Sequence, residues 1–342
     1  MSLRLILGRS GSGKTTYCLE EIREKLIQDP KGPPIIYLVP EQMTFQSEHS
    51  LIRSPGLKGM IRAQVFSFTR LAWRLLQEAG GMARYHLNQT GLHMLLVKVL
   101  EKERENLKLF SQAAEASGFI RQLEQLTTEF KRYQVSLEML EEKREALLAK
   151  EEMAPSERLL ADKLHDFSLI YHKLKHLLAD RYIHSEDYLT LLAEKIPTVS
   201  WLREAEIYVD GFHSFTKQER LVLKALFSTV KRVTLTLTLD QPPTDELDAL
   251  DLFYTPKTTY RQMLELAREA GCTLEEPVLL QEPKRFVSAE LAHLERNYAA
   301  FPPPVYPNAD QIKLIAGRSR RAEVEAVARE MIRLAREEGY RW

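Results

Sequence analysis

Cysteine is nearly absent: the 342 residues hold two, Cys18 and Cys272. Two distant thiols supply neither a disulfide framework nor the ligand spacing of a zinc or iron–sulfur site. Cys18 reads most simply as a small core residue just inside a helix, and the usage suits a reducing compartment. No apolar run nears the ~20 residues that cross a bilayer. No signal peptide opens the chain, because a functional loop occupies that place. A cytoplasmic protein without a membrane partner is the expectation. Charge of one sign is missing too, since 48 Lys and Arg balance 48 Asp and Glu. Total charge therefore points to no partner. One local absence matters more. Between Glu48 and Glu78 there is no acidic residue.

The first residues carry the sharpest signal. Gly8 to Thr15 reads G-R-S-G-S-G-K-T and fits G-x-x-x-x-G-K-[ST]. An apolar run, Leu3 to Leu7, precedes it, and Tyr17, Leu19 and Ile22 begin a helical pattern after it. Strand, glycine turn and helix are what phosphate binding needs. Gly8, Gly11 and Gly13 let backbone N–H groups converge on phosphate oxygens, and the helix N-terminus adds partial positive charge. Lys14 reaches the β- and γ-phosphates in such loops, and Thr15, with Thr16 beside it, supplies a hydroxyl for Mg²⁺. ATP with Mg²⁺ is the expected ligand.

The rest of the chain predicts a parallel α/β domain with a helical insertion. Strands are expected at 35–39, 61–66, 206–210 and in "RVTLTLTLD", and helices over "SFTRLAWRLLQEAG", capped by Ser67, and near 216–228. From about 88 to 196 leucines recur at helical spacing and strands are hard to find, so this block is expected to be all-helical. "FPPPVYP" reads as a linker, "IKLIAG" as a strand and "RAEVEAVAREMIRLAREEG" as a helix stopped by Gly339. A parallel unit needs a return strand. None remains after that helix, and the expectation is the front part of a longer protein.

Asp210 ends the apolar strand "IYVD", where a nucleotide-hydrolysing protein holds its Mg²⁺ carboxylate. Helicases that hydrolyse ATP usually place Glu next; here Gly211 follows, and Glu219 in the next helix is a weak substitute. Asp240 and Gln241 end another strand. They suit either a γ-phosphate sensor or a turn before Pro242 and Pro243. The acid-free stretch holds Arg53, Lys58, Arg62, Arg70 and Arg74 among Phe66, Phe68 and Trp73. Cations interleaved with aromatics suit single-stranded nucleic acid. They equally suit core aromatics with a solvated arginine face. His172 and His176 lie four apart on a helix but lack a third ligand nearby.

Taken together, the N-terminal loop, "VPEQMTFQSE", "FSFTRLAWR", the helical block and "IYVDGFHSFTKQE" resemble the B subunit of AddAB-type helicase–nucleases, along the whole chain. The resemblance implies a superfamily 1 helicase-like, RecA-like fold. Residues 1–85 and 198–300 would form its first lobe, 86–197 the helical insertion, and 301–342 a linker and the start of a second lobe. It also implies a subunit that is not the motor, partnered by an A-subunit helicase–nuclease, that recognises a recombination hotspot as single-stranded DNA. An iron–sulfur nuclease domain would lie outside these residues. Segment by segment, the resemblance makes Gln42, Thr44, Phe68, Arg70 and Trp73 the candidate DNA contacts. Two other readings stay open: an active DNA-dependent ATPase motor, and a small-molecule P-loop phosphotransferase.

Overall fold

The computed structural model describes residues 1–57, 59–80, 85–112, 117–178, 182–184, 187–243 and 247–341. Lys58 of the basic stretch lies outside them. The chain divides into two compact units, Met1–Gln281 and Glu282–Trp342.

The first unit is built on a parallel sheet. Its strands are β1 (Ser2–Gly8), β2 (Ile35–Leu38), β3 (Ala63–Phe66), β6 (Glu206–Val209), β7 (Arg232–Thr238), β8 (Thr273–Leu274) and β9 (Val278–Leu280). The order is β3-β2-β6-β7-β1, with β8 and then β9 along the outer side of β1. Apolar side chains point both ways because helices cover both faces, as parallel sheets require. Leu3, Leu5 and Leu7 enter one core with Leu71, Leu75, Val222 and Leu226. Those come from α3 (Phe68–Ala79) and α9 (Lys217–Phe227). Ile6 enters the other core with Cys18 and Ile22 of α1 (Lys14–Gln28) and Leu51 of α2 (Thr44–Ile52). Cys18 is the core residue expected. Under α1 lies a half-buried ionic knot: Glu21 holds Arg4 and Lys25, and Lys25 reaches Glu206 and the Tyr208 hydroxyl.

Between α3 and β6 the chain forms α4 (Gln89–Glu103), α5 (Ser117–Arg132), α6 (Leu137–Leu148), α7 (Pro155–Leu178) and α8 (Tyr188–Lys195). Leu92, Leu96, Leu123, Ile170 and Leu174 form a separate core there. Asp166 of α7 is fully buried and accepts from the backbone N–H of Lys108, Leu109 and Phe110, which pins that loop to the helix. Tyr188 and Leu192 of α8 pack instead in the core over the sheet.

Two sequence expectations are corrected. The inserted block is not all-helical: β4 (Tyr85–Leu87) and β5 (Tyr182–His184) pair in parallel. Three-residue strands are too short to show a period. "IKLIAG" is not a strand. A strand exists only where a neighbour receives its amides. No ladder among the described residues includes it, and Leu314 stands 95% exposed. The first unit also contains α10 (Tyr254–Glu269), and the second contains α11 (Ala289–Asn297) and α12 (Arg320–Glu337), neither with a buried residue.

Candidate functional site

Ligands of parallel α/β sheets sit beyond the carboxyl ends of the strands. Here those ends carry Gly8 from β1, Pro40 after β2, Ser67 after β3, Asp210 after β6 and Asp240 after β7. The nucleotide candidates and the segment holding Gln42 and Thr44 therefore share one rim.

The Gly8–Thr15 loop turns through Gly11 (φ 85°) and Gly13 (φ 92°), a region closed to most side chains. A Cβ on Gly8 would lie 2.2 Å from Ser12 Oγ and 2.8 Å from the Leu280 carbonyl oxygen. Gly13 caps α1, whose first turn has neither a side-chain cap nor an acidic residue. Its amides are thus available to an anion. Lys14 Nζ folds over the loop, donating to the carbonyls of Gly8 (2.7 Å) and Arg9 (3.0 Å). Arg9 stacks over Phe253 at 5.2 Å. Ser12 Oγ is buried with no hydrogen-bond partner. A buried orphan hydroxyl is costly unless a ligand meets it, and a phosphate oxygen would.

Asp210 is 2% exposed and holds three hydroxyls. Thr15 donates to Oδ2 at 2.7 Å, Tyr37 to the same oxygen at 2.8 Å, and Thr236 to Oδ1 at 2.5 Å. The donor set fits a Mg²⁺–nucleotide. Magnesium in such sites takes one or two protein oxygens and fills its remaining positions with phosphate and water. Thr15 and Thr16 are exposed at the loop mouth. Among the described residues no cluster of three His, Cys, Asp or Glu could hold a metal, and His172 and His176 are simply exposed.

A side chain at position 211 would be strained by the backbone and would have to push Met43 aside. The φ of Gly211 is +84°, and a Cβ would meet Met43 Sδ at 2.9 Å and Pro40 Cδ at 3.2 Å. Glu219 is committed elsewhere: its carboxylate accepts the Thr216 amide (2.7 Å) while Thr216 Oγ1 accepts the Glu219 amide, closing a capping box on α9. Asp240 Oδ1 accepts the Gln241 N–H (2.9 Å), and Leu239 N–H bonds to the Gly8 carbonyl, so the exposed Gln241 follows directly beside the loop.

The DNA candidates separate. Gln42 is exposed in a 3-10 turn, Glu41–Met43. Thr44 is buried and donates to the Glu41 carbonyl (2.9 Å). Phe68 is seated in the core rather than on the surface, edge-on to Phe212 (5.5 Å) and Phe215 (6.3 Å). Arg70 and Trp73, one helical turn apart, are brought together. With Phe66, Gln64, Arg74 and Gln77 they line a cavity of about 450 Å³ at the β3 edge. Trp73 is half-buried and packs on Tyr188 at 5.4 Å. Sequence reasoning missed Phe45, 77% exposed and stacked on His49 at 6.0 Å. It also missed Tyr37, which the apolar run of β2 concealed.

A parallel sheet covered by helices, with a glycine-rich loop after β1 and a buried carboxylate after β6, is the arrangement of a RecA-like α/β domain. Residues 5–295 match the family described as "ADDB, N-terminal", and the chain belongs to that family. It is 51% identical to the B subunit of the ATP-dependent helicase/deoxyribonuclease of Geobacillus kaustophilus, covering 100% of this chain and 29% of that protein. It is 50% identical to the protein of the same name from Anoxybacillus flavithermus (100% and 30%) and 45% identical to that from Bacillus anthracis (100% and 29%). The chain thus spans under a third of the length of these curated relatives.

Proposed function

We propose that this chain is the N-terminal, helicase-like part of a helicase–nuclease subunit acting in double-strand break repair. In this reading it works in the cytoplasm with an A-subunit partner. It binds single-stranded DNA, with hotspot-type recognition, and a Mg²⁺–nucleotide, and it is not the motor. The observation that carries the reading is Gly211. The position after the strand-end Asp210 is a left-handed glycine packed on Met43, where a hydrolysing helicase presents a water-orienting carboxylate. Lys14, Thr15, Ser12 and the α1 amides would hold phosphate, and Asp210 would orient the Thr15 hydroxyl. Bound Mg²⁺ would neutralise phosphate charge there. No described helix is long and apolar enough to cross a membrane.

DNA would run over the rim past Gln42 and Phe45 towards Arg70 and Trp73, phosphates on the arginines and bases on the aromatic faces. Anisotropy of a labelled single-stranded oligonucleotide tests this. Binding is expected to be weak and to fall as salt rises. Trp73→Ala and Arg70→Ala should each weaken it, stacking being worth roughly 1–3 kcal/mol per base. Unchanged affinity in both variants would return these residues to a packing role.

A further inference from the structure

Asp210 follows β6, the strand between β2 and β7, and each neighbouring strand sends a hydroxyl to it. Tyr37 of β2 donates to Oδ2 at 2.8 Å, and Thr236 of β7 to Oδ1 at 2.5 Å. Thr15, in the first turn of α1, donates to Oδ2 at 2.7 Å. Tyr37 is 0% exposed, Asp210 2% and Thr236 3%, so water does not compete for the bonds from the strands. A carboxylate offers about four lone-pair sites, and three are filled here from three different elements. Turning the carboxylate would leave a buried hydroxyl unmet, which is costly. The phenol stays a neutral donor: burial, and then the Asp210 charge, push its ionisation well above the ordinary tyrosine range. Thr15 is the partner that reaches the loop mouth, where it is exposed. Its one hydroxyl hydrogen is spent on Asp210, so its lone pairs are left for a cation there.

We propose that Tyr37 and Thr236 are positioning residues for the Mg²⁺ of a bound nucleotide: they lock Asp210, Asp210 aims Thr15, and Thr15 is the side chain that meets the metal. The proposal rests on the reading above that the Gly8–Thr15 loop binds a Mg²⁺–nucleotide. The lock also sets which cation suits the site. Mg²⁺ demands near-ideal octahedral geometry at short distance and gives up water reluctantly, whereas Ca²⁺ accepts longer and less regular contacts. A Thr15 hydroxyl held from behind on a dry carboxylate is a ligand placed in advance, which favours the stricter ion. Removing either strand hydroxyl lets Asp210 turn, and Thr15 turns with it. Part of the affinity for Mg²⁺ then goes into holding Thr15 in place, while Ca²⁺ loses less. Phosphate contacts from the α1 amides and Lys14 do not pass through Asp210, so the effect appears in the metal-dependent part of the affinity.

The test is the affinity of the 342-residue chain for a fluorescent, non-hydrolysable ATP analogue in Mg²⁺, in Ca²⁺ and in excess chelator. The metal gain is the affinity with the ion divided by the affinity in chelator. Wild type should show a larger gain with Mg²⁺ than with Ca²⁺. Tyr37→Phe keeps the ring and Thr236→Val keeps the branched shape, so each removes little but the hydroxyl. Each should cut the Mg²⁺ gain about ten-fold, the usual scale for losing a group that orients a metal ligand, and the Ca²⁺ gain by less. Thr236→Ser keeps a hydroxyl and should restore the gain. Tyr208→Phe removes a buried hydroxyl from the Glu21–Lys25 knot instead and should lower the melting temperature while keeping both gains. A Mg²⁺ gain undiminished in either variant overturns the lock. So do equal losses with the two ions, and so does a loss that is the same in metal and in chelator, because a loosened fold alone would produce either. A wild type that binds nucleotide with no metal gain overturns the lock but leaves nucleotide binding by the loop standing. A wild type that binds no nucleotide overturns both.

Discussion

Replacing Gly211 tests whether the local fold requires glycine at the position on which the proposed function turns. Gly211→Ala adds one methyl group at φ +84°, 2.9 Å from Met43 Sδ and 3.2 Å from Pro40 Cδ. A side chain in the left-handed region costs about 1–2 kcal/mol. The crowding costs about 1–3 kcal/mol more, towards the low end because the Met43 thioether can turn away while the Pro40 ring cannot. The sum, about 2–5 kcal/mol, should lower the melting temperature by at least about 4 °C. Met43→Ala relieves part of the crowding but none of the backbone strain. The double variant should therefore melt above the value obtained by adding the two single effects, and the shortfall measures the contact. Thermal melts of the four proteins, followed by circular dichroism, read both quantities. A Gly211→Ala protein as stable as wild type would refute the claim that the local fold requires glycine there.

Asp166→Ala removes the acceptor of three amides, those of Lys108, Leu109 and Phe110. At about 1 kcal/mol or more for each lost bond to the carboxylate the change should destabilise the helical block by about 3 kcal/mol or more. Hydrogen exchange at 107–110 should accelerate, and unchanged protection would contradict it. Glu21 gives an acid-side prediction. Burial alone would raise its pKa, but hydrogen bonds and charge from Arg4 and Lys25 outweigh burial and hold it below the ordinary glutamate value. A depressed folded-state pKa means the contribution is complete above the unfolded value and is lost as pH falls through the folded one. Glu21→Gln should therefore be less stable at neutral pH and show a flatter decline in melting temperature below the ordinary glutamate range. Parallel profiles for the two proteins would refute the assignment.

The strand, glycine turn and helix around Gly8–Thr15 were legible because that motif has fixed residue types at fixed spacing, and strand and helix signals flank it. Asp210 was legible as an acid ending an apolar strand. Its partners were not. Tyr37 and Thr236 are ordinary strand residues, and only the register of β2, β6 and β7 brings their hydroxyls to one carboxylate. The aromatics of α3 show the same limit. Phe68 and Trp73 are five residues apart, roughly 140° round a helix, so one ring enters the core and the other reaches the edge. Composition treats them alike. Gly211 was visible as a missing glutamate, but its φ and its contact with Met43 depend on where the Glu41–Met43 turn lands. "IKLIAG" shows the converse: a strand-like composition makes no strand without a neighbour to pair with.

Phosphate release from ATP with Mg²⁺, measured with and without single-stranded DNA beside a thermal melt of the same sample, tests the non-motor reading most directly. The account predicts that Mg²⁺–ATP raises the melting temperature of the wild-type chain, that Lys14→Ala abolishes the rise, and that neither protein releases phosphate above background, since no carboxylate stands at position 211 to orient water. DNA-stimulated phosphate release that disappears in Lys14→Ala would contradict it and make the chain a motor.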